Sequence, residues 1–369
     1  MVCSQPDSVA LDWNLEGRLA GVSGYYSLAE WILSPGSPAP PPDDPSCWHD
    51  RIVVAVDTRL LGLFAEVYLP HVQRSLVLLT LDSDFGAPIQ SGAVDVDLGV
   101  VGREWQGLLG DTRIVRWFAM NCNHDHPKLR CLPLGPQSPR AVLWGQSLLW
   151  EGLGVTEESL RSLGRLAPLT VDAIRKSRKR APIVAVSFAS SFNGSEPYFR
   201  RALLWDRVCR PPAVAAVCLD WAPAQLTGGR CGVHETSTSC RQRLLASWQA
   251  GQRLAFREYY GLLRRASFVA SPPGEGIDTY RTWEALLSGA VPIVSPEALR
   301  IVSHARCPAV SAVYSEITSE ELSSIVNQTV PVPSVSARCV EALFLAFWGR
   351  QFYAGRSRRT FPAQRSPWQ

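Results

Sequence analysis

The stretch from residue 267 to residue 295 carries the residue types best suited to binding an anion. Its order predicts a strand, a tight loop containing Gly274 and Gly276, and then the start of a helix. Glycine has no Cβ, so the backbone at these positions can approach a ligand closely. The free amides of a first helical turn, together with the helix dipole, favour an anionic group such as a diphosphate. This order of elements therefore predicts a phosphate-binding loop.

Polar side chains follow this loop at helical spacing. Asp278 or Thr279 can cap the new helix, and Arg281 in the same turn could make a charge-assisted contact to phosphate. Glu284 lies one helical step beyond Arg281, on roughly the same face, where a carboxylate can accept both hydroxyls of a ribose. The same order is also the ordinary connection of an α/β domain, and Glu284 could instead pair with Arg281. Spacing alone leaves both interpretations open.

Two further carboxylates are candidates for a catalytic base. Asp82 and Asp84 follow a predicted strand, and the carboxyl ends of parallel strands are where α/β sheets bind ligands. Either could deprotonate an acceptor hydroxyl, while an Asx turn or a helix cap is the alternative role for each. Their Asp-Ser-Asp spelling also matches a DxD motif, and two carboxylates with a diphosphate can hold a divalent ion.

The cysteines and histidines do not form a zinc motif. His124 and His126 lie near Cys122 and Cys131, but without the spacing of a tetrahedral site, and none of the ten cysteines forms a CxxC pair. No zinc site is therefore expected at these residues. The cysteines could form disulfides in an oxidising compartment or remain as buried thiols.

Strands and helices alternate along the chain, which predicts parallel βαβ units. The predicted strands cover residues 51–57, 75–81, 114–119, 183–187, 214–220, 267–271 and 291–294. The predicted helices cover residues 61–72, 156–180, 196–208, 242–265 and 278–287. The chain is thereby divided into an N-terminal segment with a proline-rich surface loop at 34–47 (1–48), an N-terminal α/β domain with a linker helix (49–180), a C-terminal α/β domain (181–355) and a disordered tail (356–369).

Length and composition agree with two folded domains. The chain has 369 residues, of which 46% are hydrophobic and 19% charged. No window approaches the ~18 consecutive apolar residues that a membrane span needs, and the first residues lack the pattern of a signal peptide. The net charge is only +4, and the single basic run, at 175–180, is typical of a linker or a helix end. Nucleic acid is therefore not an expected partner.

Two stretches carry a resemblance to a known family. The string from Pro273 to Leu286, PGEGIDTYRTWEAL, and the GAVPIV that follows at 289–294 resemble the donor-binding segment of exostosin-like glycosyltransferases, closest to the C-terminal domain of the ribitol xylosyltransferase group. The segment from Trp117 to Gly135 is similar to a Trp-Phe-Ala-x-Asn … His-Pro-Lys-Leu … Pro-(Ile/Leu)-Gly pattern in the same relatives. Residues 79–84 resemble their Thr-Gly-Asp-Ser-Asp turn, with Leu81 in the place of glycine.

The resemblance implies a GT-B-like α/β fold, in which two Rossmann-like domains face a cleft and the second domain holds the donor. It implies a hexosyl- or pentosyltransferase that moves a sugar from a nucleotide-sugar, first of all a UDP-sugar, to a hydroxyl of a glycan or glycoconjugate acceptor. It assigns donor binding to Gly274, Gly276, Asp278, Thr279, Arg281 and Glu284. It also makes Asn121, His126 and Lys128 candidate substrate contacts.

The same resemblance bears on cofactors and compartment. Such enzymes usually need no bound metal, because helix amides and basic side chains neutralise the leaving diphosphate, although a divalent ion stays compatible with the residues present. A Golgi or secretory lumen is implied, while the chain itself shows neither a signal peptide nor a membrane anchor.

Two alternatives remain at the level of sequence. A nucleotide-sugar-binding protein without catalysis is consistent with the departure at Leu81. A dinucleotide-dependent α/β enzyme would place an acidic residue after the next strand, and Ser295 stands there instead.

Overall fold

A computed structural model provides the coordinates of the protein. It describes residues 25–26, 28–35, 37–38, 51–81, 101–122, 124–136, 181–186, 201, 204, 208, 216–218, 256–274, 276–314, 317–329, 333–343 and 345–354. Within these residues the protein has α/β character, with two largely parallel sheets and helices between their strands.

The first sheet has the strand order β2-β1-β3-β4-β5-β6. Only the β1–β2 pair is antiparallel, and the other neighbouring strands run parallel. The strands are β1 (Trp31–Ser34), β2 (Ser37–Pro38), β3 (Arg51–Asp57), β4 (Ser75–Leu81), β5 (Ile114–Ala119) and β6 (Leu129–Cys131).

The two central strands show why this region forms a sheet. β3 and β4 are nearly continuous runs of branched apolar residues, and all but the first residue of each is buried. Continuous rather than alternating hydrophobicity is typical of a parallel strand that is covered on both faces. The two strands pair in register from Arg51 opposite Ser75 to Asp57 opposite Leu81, so their carboxyl ends reach the same edge of the sheet.

Helical segments cover the connections of this first sheet. Between β3 and β4 the chain forms consecutive 3-10, α, π and 3-10 turns, at Thr58–Leu60, Leu61–Leu63, Phe64–Tyr68 and Leu69–His71. Helix α1 (Val101–Gly110) precedes β5. These connections are the crossovers that parallel neighbours require.

The second sheet has the order β11-β10-β9-β7-β8, and each pair of neighbours is parallel. Its strands are β7 (Ala181–Val186), β8 (Ala216–Cys218), β9 (Ala266–Ala270), β10 (Val291–Val294) and β11 (Val310–Ser311). The helices of the same part of the chain are α2 (Phe256–Arg265), α3 (Tyr280–Leu287), α4 (Pro296–His304), α5 (Ser319–Gln328) and α6 (Ala337–Ala342).

The described residues fall into two compact units. The first holds those up to Pro133 and those after Leu343, and the second holds those from Leu134 to Leu343. The last helix, α7 (Leu345–Phe352), belongs to the first unit. Its aromatic rings pack edge-on against rings of the first sheet and the N-terminal segment, in the pairs Phe118–Phe352, Phe118–Trp348, Tyr25–Trp348 and Tyr25–Phe352. The domain boundary predicted near residue 180 lies outside the described residues and stays a prediction.

Four of the cysteines form two disulfides. Cys122 pairs with Cys131 across the connection from β5 to β6, and Cys307 pairs with Cys339 between the end of α4 and helix α6. For these four residues the disulfide alternative holds, rather than buried thiols. Because its two sulfurs are bonded to each other, the Cys122–Cys131 pair does not contribute thiolates to a zinc site.

Each of the seven predicted strands overlaps an observed strand, while the helix predicted at 61–72 is instead a series of α, π and 3-10 turns. The strands predicted at 51–57, 75–81, 114–119 and 291–294 have the observed bounds. The helix predicted at 278–287 begins two residues later, at Tyr280. The helix predicted at 156–180 and the disordered tail at 356–369 lie outside the described residues.

The prediction of a surface loop at 34–47 is wrong for its first residues. Ser37 and Pro38 form the short strand β2, which pairs with Leu33 and Ser34 of β1. Proline in this segment suggested a loop, but proline is tolerated on an edge strand, where one side of the backbone has no ladder partner. In the part of the chain that the structure describes, no helix is long and apolar enough to cross a membrane.

Candidate functional site

The predicted glycine loop leaves the second sheet at its topological switch point. The chain runs from β7 outward to β8 and then returns to place β9 on the other side of β7. The described residues that follow β9, 271–274 and 276–279, therefore emerge where the strand order reverses. In open α/β sheets this position, outside the carboxyl ends of the strands, is where ligands bind. The position of the loop in the sheet therefore supports a binding site independently of the spacing of its residues.

The side chain of Arg201 lies close to Gly274. A Cβ built at this position would lie 2.6 Å from Nη2 of Arg201, far inside van der Waals contact. Arg201 donates from Nε to the Pro273 carbonyl at 2.9 Å and from Nη2 to the Pro272 carbonyl at 3.4 Å. The backbone loop is completed by a 3.0 Å hydrogen bond from the Gly274 amide to the Gly276 carbonyl. A side chain at position 274 would therefore meet the end of the Arg201 side chain, which would have to shift away from the loop.

Three buried hydroxyls join the two ends of this loop. The hydroxyl of Ser271, directly after β9, lies 2.9 Å from that of Thr279 and 2.8 Å from that of Thr282. All three residues are buried. Since hydroxyls both donate and accept, such a cluster satisfies its own polar atoms without water. It fixes the end of β9 against the first turn of α3.

The expected side-chain cap of α3 is absent. Thr279 is the N-cap residue, but its side chain makes no cap hydrogen bond, because its hydroxyl is engaged with those of Ser271 and Thr282. Asp278 lies before the N-cap position. The prediction that Asp278 or Thr279 caps the helix through its side chain is therefore wrong.

Asp278 instead ties the loop to a distant part of the chain. One carboxylate oxygen accepts from the Leu134 amide and from the Trp283 indole N–H, each at 2.7 Å. The other accepts from the Thr279 amide at 2.8 Å. The residue is almost fully buried. These partners show a carboxylate that holds the loop and helix in place, and the donor contact assigned to it by resemblance stays a prediction.

Burial makes this carboxylate the most perturbed acid at the site. Desolvation raises the pKa of Asp278 to about 7, and the three N–H donors offset only part of the rise. In the unfolded chain the group has its ordinary value of 3.8. Between these two values the unfolded chain loses a proton that the folded protein keeps, so the free energy of unfolding falls as the pH rises.

We therefore expect a pH-dependent difference between the wild-type protein and the Asp278→Asn variant. The wild-type advantage in free energy of unfolding should fall by about 2 kcal/mol between pH 5 and pH 7, at ~1.4 kcal/mol per pKa unit. Urea unfolding of both proteins at pH 5, 6, 7 and 8 measures it.

Asp111 supplies the control for that comparison. Its hydrogen bonds to Arg113 lower the pKa of its carboxyl, so its contribution is already complete at pH 5. The difference between wild type and Asp111→Asn should consequently stay constant over the same range. A constant difference for Asp278→Asn as well would contradict the raised pKa.

Arg281 lies in the first turn of α3 and is buried. Its charge acts on the hydroxyl of Tyr314, whose pKa is raised by burial and partly lowered again by the nearby guanidinium. Tyr314 accepts from the Ser271 amide at 2.8 Å and donates to the Ile293 carbonyl. Arg281 therefore lies within electrostatic range of Tyr314, whose hydroxyl is hydrogen-bonded to the residue after β9.

Glu284 also lies on α3 and is buried. It accepts a hydrogen bond from the Tyr259 hydroxyl at 2.7 Å. Burial, together with the charge of Glu284, raises the pKa of the neighbouring Tyr260. Both tyrosines come from α2. The hydrogen bond from Tyr259 fixes one oxygen of the carboxylate, and the ribose contact assigned to Glu284 stays a prediction.

The candidates of the first unit have local structural partners. Asn121 has a positive φ of 47° just after β5, a conformation that asparagine tolerates better than most residues. Nδ1 of His126 accepts from the Lys128 amide at 3.2 Å, and the Lys128 ammonium donates to the Asp111 carbonyl at 2.7 Å. Lys128 thereby binds the chain directly after helix α1, where a cation complements the helix dipole. Substrate contact for these residues stays a prediction.

The remaining polar candidates are placed as follows. His124 packs edge-on against Trp105, with ring centroids 4.8 Å apart. Asp82 and Asp84, the predicted bases, lie outside the described residues. Among the residues that the structure does describe, no three histidine, cysteine, aspartate or glutamate side chains are grouped to hold a metal ion.

Sequence reasoning missed Arg201, Tyr259 and Tyr314. Each lies more than 20 residues from the group that it contacts, so no local pattern connects them. The burial of Arg201 could have been predicted, because Arg201, Leu204 and Val208 recur at helical spacing. In the structure all three are helical and buried. An arginine on the apolar face of a predicted helix indicates a specific buried partner.

No family model matches the chain, and the comparison with curated proteins finds no significant match. The function of the protein is therefore inferred from its own residues and their geometry.

Proposed function

We propose that the protein is a glycosyltransferase that binds a nucleotide-sugar, with a UDP-sugar as the expected donor, and transfers the sugar to a hydroxyl of a glycan or glycoconjugate. The observation that supports this most directly is the position of the glycine loop. It leaves a parallel sheet at the switch point and leads into a helix whose first turn carries Arg281. Backbone amides and a guanidinium in this place suit a diphosphate.

The proposed architecture is GT-B-like, with one Rossmann-like domain built on each sheet and the donor held by the second. The parallel order of both sheets supports it. In this proposal Gly274, Gly276, Thr279 and Arg281 surround the diphosphate, and Glu284 accepts the ribose hydroxyls. Asp278 acts behind them, by fixing Thr279 and Trp283.

The chemistry assigned to these residues is electrostatic. Cleavage of the bond between sugar and diphosphate leaves negative charge on the departing oxygen, and the fixed amides and guanidinium stabilise that charge as it develops. The acceptor hydroxyl must lose its proton as its oxygen attacks the sugar carbon. We assign this role to Asp82 or Asp84, which follow β4 in the sequence.

A ligand panel tests the donor class. We expect UDP or a UDP-sugar to raise the melting temperature more than GDP-sugars or CMP-sugars do. At 100 times its Kd a ligand adds about 2.7 kcal/mol of stability, which corresponds to a rise of about 3–4 °C for a protein of this size. Differential scanning fluorimetry measures the shift.

Transfer is measured separately, as release of UDP from UDP-sugars in the presence of a panel of glycan acceptors. Stabilisation without transfer to any acceptor would favour a nucleotide-sugar-binding protein over an enzyme. A panel in which no nucleotide raises the melting temperature would contradict the proposal altogether.

A further inference from the structure

We propose that Arg201 is a second diphosphate-binding cation of this site, held against the glycine loop by the two proline carbonyls. The inference depends on the proposed function for the identity of the nucleotide, but the anion that it names is the diphosphate group itself. It assigns a ligand contact to a residue far from the loop in sequence.

The geometry fixes where the charge of Arg201 lies. Its guanidinium is bound edge-on to the carbonyls of Pro272 and Pro273, and its Nη2 occupies the space that a side chain at position 274 would fill. Carbonyl acceptors orient a guanidinium without changing its charge, since arginine stays protonated in proteins. A fixed positive charge therefore lies directly at the loop.

The two arginines approach the same loop from different elements. Arg281 comes from the first turn of the helix that follows the loop. Arg201 comes from the helical residues between β7 and β8, on the other side of the switch point. Two cations supplied across the switch point suit the two linked phosphates of a diphosphate.

The second cation also explains the sequence of the loop. Two consecutive prolines present neighbouring carbonyls in a fixed backbone conformation, and both carbonyls bind the same guanidinium. Gly274 then leaves room for it. Pro272, Pro273 and Gly274 form a receptor for an arginine, and a lysine, with a single ammonium nitrogen, could not bind both carbonyls in the same planar arrangement.

Titration of uridine, UMP, UDP and inorganic pyrophosphate into the full-length protein tests the proposal. Arg201→Gln is expected to weaken UDP about 10- to 100-fold, UMP less, and uridine within about 2-fold, because the lost interaction is with phosphate. Arg201→Lys should keep part of the affinity for UDP. Isothermal titration calorimetry at one fixed salt concentration measures each Kd.

Gly274→Ala provides a variant that keeps the arginine. Its Cβ would displace the guanidinium from the loop, so it should also weaken UDP more than uridine. Gly261→Ala is the matched control, because a Cβ there meets nothing within 4 Å, and it should bind every ligand as the wild type does. Circular dichroism and melting temperatures establish that each variant is folded.

The outcomes separate this inference from the proposed function. If the wild type binds UDP and Arg201→Gln binds it equally well, or loses uridine and UDP to the same extent, Arg201 is only a structural clamp and the inference fails alone. If pyrophosphate binds in an Arg201-dependent manner while no nucleotide does, the inference stands and the donor assignment fails. If neither pyrophosphate nor UDP binds the wild type, both fail.

Discussion

Asp278→Ala is expected to lower the free energy of unfolding by about 3 kcal/mol or more, because it leaves several buried donors without an acceptor. The Leu134 amide, the Trp283 indole and the Thr279 amide all donate to this one carboxylate. Each buried donor that loses its partner costs about 1–3 kcal/mol, and relief of the carboxylate's own desolvation returns part of the sum. Chemical denaturation at pH 8, where the group is mainly ionised, measures the change.

Asp278→Asn is the graded comparison for this experiment. The amide oxygen can still accept from Leu134 and Trp283, but the amide NH2 would face the Thr279 amide, donor against donor. We expect Asp278→Asn to lower the free energy of unfolding by about 1–2 kcal/mol, which is the contribution of one hydrogen bond. Should Asp278→Ala prove as stable as the wild type, Asp278 would not be the tie between the loop, the helix and Leu134, and its assignment as a donor-binding residue would regain weight.

Seven of the eleven described strands were predicted because their signal is local, whereas the short strands β1, β2, β6 and β11 were not predicted. The apolar runs of β3, β4 and β10 predict where each strand begins and ends, because a strand buried on both faces consists mainly of branched apolar residues. The order of the strands was not predictable in the same way. That β9 lies next to β7 rather than β8 follows from packing between segments that are distant in the chain.

The residues of the candidate site could likewise be predicted from the sequence only where the signal is local. Gly274, Arg281 and Glu284 could be found from their spacing, because they lie within one loop and the helix after it. The reason for Gly274 could not, because it depends on Arg201, 73 positions earlier, whose guanidinium lies where a Cβ would be. The role of Asp278 was also missed, because a capping residue and a buried tie have the same local sequence and differ only in Leu134 and Trp283, which the carboxylate meets after folding.

Arg281→Ala is expected to weaken UDP about 100-fold or more while leaving uridine within about 2-fold. A charge-assisted contact to a phosphate is about twice as strong as a neutral hydrogen bond, and a ~100-fold change in Kd corresponds to about 2.8 kcal/mol. Arg281 lies within the first turn of α3, where its charge adds to that of the helix amides. Competition of unlabelled nucleotides against a fluorescent UDP analogue measures the affinities, and Arg281→Lys should recover part of the loss.

Glu284→Gln gives the opposite pattern and so checks the orientation of the nucleotide along α3. Glu284 lies one helical step from Arg281, and the hydrogen bond from Tyr259 holds its carboxylate in place. If its partner is the ribose, the variant should weaken uridine more than 2′-deoxyuridine and leave pyrophosphate unchanged, while Arg281→Ala weakens pyrophosphate and spares uridine. Two variants on one helix that lose different parts of the same ligand would place the diphosphate at the first turn of α3 and the ribose one step further along. Equal losses for all ligands in both variants would instead mean that each substitution only disturbs the fold.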